Sequence, residues 1–156
     1  MKTFQIHRAA TVPQPLREVF SFFAEAGNLE AITPPWLHFR ILTPRPLVMR
    51  SGLKIDYQLR LHGLRLHWQS EISVWDPPYG FVDEQIKGPY RRWVHHHRFS
   101  EGPDGTTVED HVEYAVWGSG LVDRLIVAPR LKQIFDYRQQ KLARLLNEST
   151  DDGLTS

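Results

Sequence analysis

The sequence of 156 residues contains no cysteine. Disulfide bonds, thiolate chemistry and zinc–sulfur sites are therefore excluded. An excess of charge of one sign is also missing, because Lys+Arg 19 stand against Asp+Glu 18 and leave a formal net charge of +1. Domains that bind nucleic acid normally carry a basic surplus on one face. We therefore expect no nucleic-acid partner.

Long apolar runs are absent as well. No stretch approaches the about 20 apolar residues that cross a bilayer, and the N-terminal MKTFQIHRAATVPQP has no apolar core of the secretory kind after Lys2. We expect a cytoplasmic protein without a transmembrane segment. The sequence also shows no glycine-rich nucleotide motif, no GxSxG elbow and no glycosidase-type carboxylate pair. It offers no complete catalytic set, and we expect no cofactor.

What is present fits one domain. The hydrophobic fraction of 41% and the Trp 5 and Phe 8 content suit a well-filled interior or an aromatic-lined pocket. No linker is long enough to separate two domains. We predict a single domain over residues 1–147, followed by a polar and disordered tail over residues 148–156.

The N-terminal third predicts a strand, two helices and a second strand. Strand residues alternate over Thr3–Val12, and the apolar spacing of Leu16–Ala24 is that of an amphipathic helix. A short helix is predicted over Asn28–Ile32, with Asn28 as its N-cap. A strand is predicted over His38–Thr43. A loop with the apolar tip Leu47–Met49 follows.

The clearest signal is a β-hairpin around His62-Gly63. Apolar and polar residues alternate on both sides of this two-residue turn, which fixes the register of the two strands. The predicted cross-strand pairs are Leu61 with Leu64, Leu59 with Leu66, Tyr57 with Trp68, and Lys54 with Glu71. Ile55, which meets Ser70, is the one apolar residue without an apolar partner.

Three further strands and a long helix complete the chain. The strands are predicted over Phe81–Lys87, Arg91–Phe99 and Thr106–Trp117. The helix spans Leu121–Leu146, and Pro129 should kink or split it. Its predicted apolar stripe comprises Leu121, Leu125, Leu131, Ile134, Phe135, Leu142, Leu145 and Leu146; Lys132, Arg138, Lys141 and Arg144 are expected mostly elsewhere.

Four segments carry a family resemblance: PQPLREVFSFFAEAGNLEAITPPW, DYQLRLHGLRLHWQSEI, GFVDEQIKGPYRRWVHHHRF and LKQIFDYRQQKL. They resemble the START-like (SRPBCC, polyketide cyclase/dehydrase-like) superfamily, in particular a bacterial ligand-binding subgroup, over roughly residues 3–146. The resemblance implies an α+β helix-grip fold. Seven antiparallel strands would form a curved sheet around the C-terminal helix, with two short helices after the first strand. It also implies an internal pocket for a hydrophobic molecule.

Polar residues are embedded in the predicted apolar face. His95 and His97 share a strand face with Trp93, and Asp110 lies between Val108 and Val112 on the next strand. With a six-residue loop over Ser100–Gly105, Asp110 would lie opposite His95. Three interpretations stay open: a satisfied buried pair, recognition of a ligand's polar end, and acid–base or metal chemistry, with His95, His97 and Asp110 as weak metal candidates.

The neighbouring strand contributes either Asp83 and Gln85 or Glu84 to the same face. A two-residue turn at Gly88-Pro89 would place Glu84 inward, whereas a three-residue connection would oppose Asp83 to His95. We favour Asp83 and Gln85 inward, since Phe81 then joins the core. The predicted ligand-binding residues are Tyr57, Trp68, Asp83, Gln85, Trp93, His95, His97, Asp110, Tyr114 and Phe135; Trp36 is expected in the core or pocket wall.

Three functions follow as hypotheses. The first is binding of a lipid, isoprenoid or polyketide-like molecule in an internal cavity by a monomer or homodimer. The second is a cyclase, dehydratase or hydrolase that uses His95 or His97 as its acid or base. The third is a module that binds a protein or a membrane surface through the Leu47–Met49 tip.

Overall fold

A computed structural model describes residues 1–61 and 63–151, with side chains described as far as Asn147. The elements are β1 (Phe4–Val12), α1 (Leu16–Ala24), α2 (Ala26–Ala31), a 3₁₀ turn (Pro35–Leu37), β2 (Arg40–Ile41), β3 (Lys54–Leu61), β4 (Leu64–Asp76), β5 (Gly80–Lys87), β6 (Arg92–Gly102), β7 (Gly105–Ala115), α3 (Gly120–Val122), a π turn (Asp123–Val127) and α4 (Ala128–Asp151). The predicted domain of residues 1–147 stays a prediction. Of the predicted tail, residues 152–156 lie outside the described residues.

The described strands form one seven-stranded antiparallel sheet in the order β1-β7-β6-β5-β4-β3-β2. Strands β2 to β7 form a meander, and β1 pairs with β7 as an edge strand of the sheet. One face packs against α1 and α4, because the buried core joins Phe20 and Phe23 of α1 with Leu131 and Phe135 of α4 and with alternate strand residues. This is the curved helix-grip sheet that the sequence predicts.

The hairpin between β3 and β4 has the predicted register. Tyr57 pairs with Trp68, Leu59 with Leu66, and Lys54 with Glu71. Gly63 at the turn has a φ of 77°, which favours glycine. His62 lies outside the described residues.

Two local predictions in the N-terminal third are wrong. Helix α2 begins at Ala26, and its N-cap position is Glu25, without a side-chain cap. The Asn28 amide instead donates to the Phe22 carbonyl at 2.8 Å, which ties α2 to α1. The strand predicted over His38–Thr43 covers only Arg40–Ile41 in the structure. It cannot begin at His38, because this residue is in the left-handed region with a φ of 47°.

The turn between β6 and β7 is tighter than the predicted six-residue loop. The ladder continues to the pair Gly102 and Gly105, which leaves a two-residue turn. Asp110 is therefore opposite His97, and the prediction that it faces His95 is wrong by two residues. A slip of two keeps every side chain on its face, so Asp110 still points inward.

The C-terminal helical region is divided just before Pro129. Proline has no N–H for the carbonyl four residues earlier, and the preceding turn, Asp123–Val127, is a π turn. Leu121 and Leu125, predicted in the buried stripe, are exposed. Arg138, predicted outside the stripe, is buried.

Candidate functional site

The sheet and the helices enclose a cavity of about 210 Å³. This volume far exceeds the about 10–15 Å³ that one water molecule needs. Most of the wall is apolar, with Phe22 and Ile32 from the N-terminal helices, Leu59 from β3, and Ile134 and Phe135 from α4. The curved sheet therefore does leave a hollow beneath α4.

Aromatic side chains form the wall on the β3–β4 side. Trp68 lies 5.4 Å from Trp93 in an edge-on arrangement, and Tyr57 and Tyr90 flank the pair. The Ser70 hydroxyl satisfies the polar groups of this wall, because it accepts a hydrogen bond from the Trp68 indole at 3.0 Å and another from the Tyr57 hydroxyl. Burial raises the pKa of Tyr57, so its hydroxyl stays protonated.

Next to this aromatic wall lies a polar cluster of Asp83, His95, His97, Asp110 and Arg138, of which all but Asp110 line the cavity. Register places Asp83 opposite His95 and Asp110 opposite His97. This confirms that Asp83, not Glu84, shares the inner face. The two imidazoles are two positions apart on β6, on the same face, and stack with ring centroids 3.7 Å apart.

Each imidazole bonds the carboxylate on the diagonal rather than the one directly opposite. His95 Nε2 lies 2.7 Å from Asp110 Oδ1, and His97 Nε2 lies 2.5 Å from Asp83 Oδ2. Phe81 stacks on the far side of His97 at 4.0 Å. Stacking and hydrogen bonding together fix both rings, so the cluster is preorganised.

Arg138 of α4 completes the cluster and was missed from the sequence. Its Nε and Nη2 donate to the two oxygens of Asp110 at 3.2 and 3.1 Å, a bidentate pair. The helical period did contain the signal: Leu131, Phe135 and Leu142 are spaced so that position 138 lies on the same buried face. From the sequence, Arg138 is expected mostly outside the apolar stripe, and a fully buried arginine is indeed rare unless it is paired.

The contacts define the protonation of His97. Arginine only donates, so His97 Nδ1, which lies 3.4 Å from Arg138 Nη2, is an acceptor. The proton of the neutral ring is therefore on Nε2, which donates to Asp83. Burial, helped by the neighbouring His95, lowers the pKa of His97 to about 4.

Both carboxyl groups are held as anions. Burial alone would raise the pKa of Asp110, but the Arg138 charge and the His95 hydrogen bond hold it well below its usual range. Burial likewise opposes ionisation of Asp83, but the His97 hydrogen bond, the two imidazoles and the Arg138 charge keep its pKa lowered. The cluster thus contains one direct ion pair, Arg138 with Asp110, and a second carboxylate, Asp83, with each carboxylate also bonded to one imidazole.

Three polar atoms of this cluster have no hydrogen-bond partner among the described residues. They are Asp83 Oδ1, His95 Nδ1 and Arg138 Nη1. His95 Nδ1 lies 3.8 Å from Asp83 Oδ2, beyond hydrogen-bond range. Since all three residues line the cavity, an acceptor, an imidazole nitrogen and a cationic donor are available to a guest molecule.

A metal ion suits this cluster poorly. Asp83, His95 and His97 offer one ligand atom each within 4.8 Å of one another. However, the Arg138 guanidinium lies against His97 and would repel a cation. The diagonal hydrogen bonds also occupy one nitrogen of each imidazole. The arrangement favours proton transfer and hydrogen bonding over metal coordination.

Seven of the ten predicted ligand-binding residues line the cavity: Tyr57, Trp68, Asp83, Trp93, His95, His97 and Phe135. The other three lie outside its wall. Gln85 exchanges two hydrogen bonds with the Tyr90 backbone at 2.8 and 3.2 Å and closes the β5–β6 connection. Asp110 stands behind the imidazoles, and the Tyr114 hydroxyl donates to Asp123 at 2.8 Å.

The positions of Trp36 and of the Leu47–Met49 tip differ from those expected from the sequence. Trp36 is 53% exposed and packs edge-on against Tyr137, so its prediction as core or pocket wall is wrong. At the Leu47–Met49 tip, Leu47 and Met49 pack against the core, and Met49 lines the cavity. Only Val48 of this tip is exposed.

The fold recurs in solved structures. The Zhui aromatase/cyclase from Streptomyces sp. R1128 is 13% identical, with 96% of each chain covered and a TM-score of 0.75. Protein Ms6760 from Mycobacterium smegmatis is 16% identical, with 93% of this chain and 92% of that one covered and a TM-score of 0.69. Ara h 8.0201 is 12% identical, with 94% and 99% covered and a TM-score of 0.70.

Sequence comparison gives the family. Residues 12–143 match the family described as polyketide cyclase/dehydrase and lipid transport. No curated protein sequence matches the chain. Among the described residues, no helix is long and apolar enough to cross a membrane. The chain belongs to the polyketide cyclase/dehydrase and lipid transport family, within the START-like (SRPBCC) superfamily.

Proposed function

We propose that this protein binds a hydrophobic small molecule that carries one polar end group. The single observation behind the proposal is the combination of a largely apolar cavity with one polar cluster at its wall. Each 100 Å² of apolar ligand surface removed from water contributes about 2.5 kcal/mol before the costs of binding. The cavity can therefore supply affinity, and the cluster can supply orientation.

The atoms of the cluster that have no hydrogen-bond partner among the described residues indicate which polar end group of a ligand fits. A hydroxyl can donate to Asp83 Oδ1 and accept from Arg138 Nη1, which are the acceptor and the donor that the cluster leaves free. A purely apolar guest would leave both atoms unsatisfied. A phenol or enol of a polyketide-like aromatic, or the hydroxyl of an isoprenoid, meets this requirement.

Binding of the fluorescent dye anilinonaphthalene sulfonate, which has an apolar ring system, tests whether the cavity takes up a hydrophobic molecule. Ile134 lines the cavity, whereas Gln133, its neighbour on α4, is exposed. We expect Ile134→Trp to fill the space and weaken dye binding about tenfold or more, and Gln133→Trp to leave it unchanged. Equal binding by both variants would contradict binding in this cavity.

The polar end is tested with naphthol and naphthalene as competitors. We expect naphthol to displace the dye at a lower concentration, because only it can pair with Asp83 and Arg138. Equal potency would refute the end-group assignment while leaving cavity binding intact. Native mass spectrometry of the protein purified from cells then gives the mass of any retained ligand.

The same cluster supports acid–base catalysis as a second candidate. His95 lines the cavity, its Nδ1 has no hydrogen-bond partner among the described residues, and Asp110 orients the ring through Nε2. This is the arrangement of an oriented general acid or base. One relative by fold bears the name aromatase/cyclase.

A panel of aromatic and poly-β-ketone substrates, followed by mass spectrometry for loss of water, tests this candidate. We expect His95→Phe to abolish turnover. His96→Phe, on the opposite face of the same strand, should retain it. Conversion that survives His95→Phe would exclude His95 as the acid or base.

A further inference from the structure

Exposed apolar side chains concentrate in one stretch of the chain before α4. Trp117, Leu121 and Leu125 are 65%, 60% and 65% exposed, and Val122 and Ile126 are exposed beside them. We call these five residues the 117–126 patch. Isolated exposed leucines are ordinary, but a contiguous group of this kind marks an interaction surface.

The orientation of this stretch is the reverse of an ordinary amphipathic helix. Asp123 is 4% exposed and accepts the Tyr114 hydroxyl, while the leucines on either side face outward. The π turn Asp123–Val127 accommodates this arrangement. An acidic residue is thus held inside by a specific hydrogen bond, and the apolar residues are left in solvent.

The charges next to the patch are positive. The Arg91 guanidinium lies 5.5 Å from the Trp117 ring, and the Lys2 ammonium lies close to Gly120. Arg124 is exposed within the patch, and Arg130 is exposed just after it. Because Asp123 is buried, the charged side chains exposed between residues 117 and 130 are all basic.

We propose that the 117–126 patch docks the protein onto a membrane surface that contains anionic lipids. Tryptophan and leucine insert favourably at the level of the headgroups. Lysine and arginine at that depth gain about 1 kcal/mol each from anionic lipid, or about fivefold in affinity. The proposal rests on exposure and charge alone and is independent of what the cavity binds.

Flotation with vesicles tests this docking. The full-length protein is mixed with vesicles of phosphatidylcholine alone or of equal parts phosphatidylcholine and phosphatidylglycerol. We expect binding to the anionic vesicles and little to the neutral ones. The double variant Leu121→Ser/Leu125→Ser should lose about tenfold or more in affinity, and Arg124→Gln about fivefold.

A matched control removes apolar residues elsewhere. Val48 and Leu64 are as exposed as the leucines of the patch; Val48 lies in the loop between β2 and β3, and Leu64 is the first residue of β4. We expect Val48→Ser/Leu64→Ser to bind anionic vesicles like the wild type. All variants should keep the wild-type circular dichroism and melting temperature, because the replaced side chains are exposed.

Three results would overturn the proposal. The first is the absence of wild-type binding to anionic vesicles. The second is equal loss in the patch variant and the control. The third is a homodimer, seen by light scattering, that Leu121→Ser/Leu125→Ser dissociates, because the patch would then contact a second copy of the chain.

Discussion

Removal of the Arg138 guanidinium should destabilise the fold strongly. Arg138 and Asp110 are 7% and 8% exposed and form a bidentate pair. Removing one partner of a buried ion pair leaves an uncompensated charge and costs about 3–5 kcal/mol. Arg138→Met keeps most of the side-chain volume, so we expect a loss of this size from a total of about 5–15 kcal/mol.

Urea unfolding followed by circular dichroism measures the effect. With a slope of about 1–3 kcal/mol per M, the midpoint should fall by roughly 2 M. Arg130→Met, at an exposed position on the same helix, is the control and should change stability by less than about 0.5 kcal/mol. Arg138→Met/Asp110→Asn should recover more than about 1 kcal/mol, because it removes the unpaired charge.

The pH dependence of this loss has a definite sign. In the wild type the pKa of Asp110 is lowered, so its contribution is present above the unfolded pKa of about 3.9 and is lost as the pH falls further. Without the Arg138 charge we expect this pKa to rise, because burial opposes ionisation, so the stability of the variant should recover relative to the wild type as Asp110 protonates. The difference in the free energy of unfolding between the wild type and Arg138→Met should therefore become smaller between pH 7 and about pH 4. A loss below about 1 kcal/mol, or a difference independent of pH, would refute the reasoning.

Three further predictions concern the cluster, the aromatic wall and a turn. The His97 ring should titrate in NMR at a pH near 4, and Asp83→Asn should lower this pKa further, because the carboxylate raises it; a midpoint near 6.5 would contradict the buried neutral ring. Since the folded pKa of His97 is below its unfolded value, the stability it contributes is present above about pH 6.5 and is lost progressively down to about pH 4 in urea titrations. Ser70→Ala should cost about 1–3 kcal/mol in urea unfolding, because it leaves the tyrosine and tryptophan that it pairs without an acceptor, whereas Ser73→Ala, at a half-exposed position on the same strand, should be nearly neutral; equal costs would show that the hydroxyl is unimportant. Gly105→Ala should lower the melting temperature by about 5 °C or more, because its φ is 127° and a Cβ would lie 2.0 Å from the Val12 carbonyl oxygen; an unchanged melting temperature would contradict this geometry.

The sequence determined most of the secondary structure and the inner face of the sheet. A period of two along a strand is a local property, so Tyr57, Trp68, Trp93, His95 and His97 could be assigned inward without coordinates. The register of β3 with β4 followed from a two-residue turn, because such a turn fixes the pairing. The apolar spacing of Leu16–Ala24 likewise determined α1, which has these bounds in the structure.

The same reasoning failed at two other connections. The β6–β7 ladder extends to Gly102 and Gly105, which moved Asp110 by two residues, and alternation cannot detect a shift that preserves the face. The π turn before α4 altered the helical phase, so Leu121 and Leu125 turned outward while Asp123 turned inward. Local sequence preference does not encode such a change of phase, because a tertiary hydrogen bond with Tyr114 accompanies it.

By itself, the sequence determined which strand residues face inward and that a pocket should lie between sheet and helix. Tertiary structure alone decided how the polar residues pair: His95 with Asp110 and His97 with Asp83 across the diagonals, and Arg138 beneath them from α4. The physical reason is that alternation and helical period are short-range, whereas a buried charge is tolerated only where a partner distant in sequence meets it. Arg138 and Asp110 are 28 residues apart, and only the packing of α4 on the sheet brings them together.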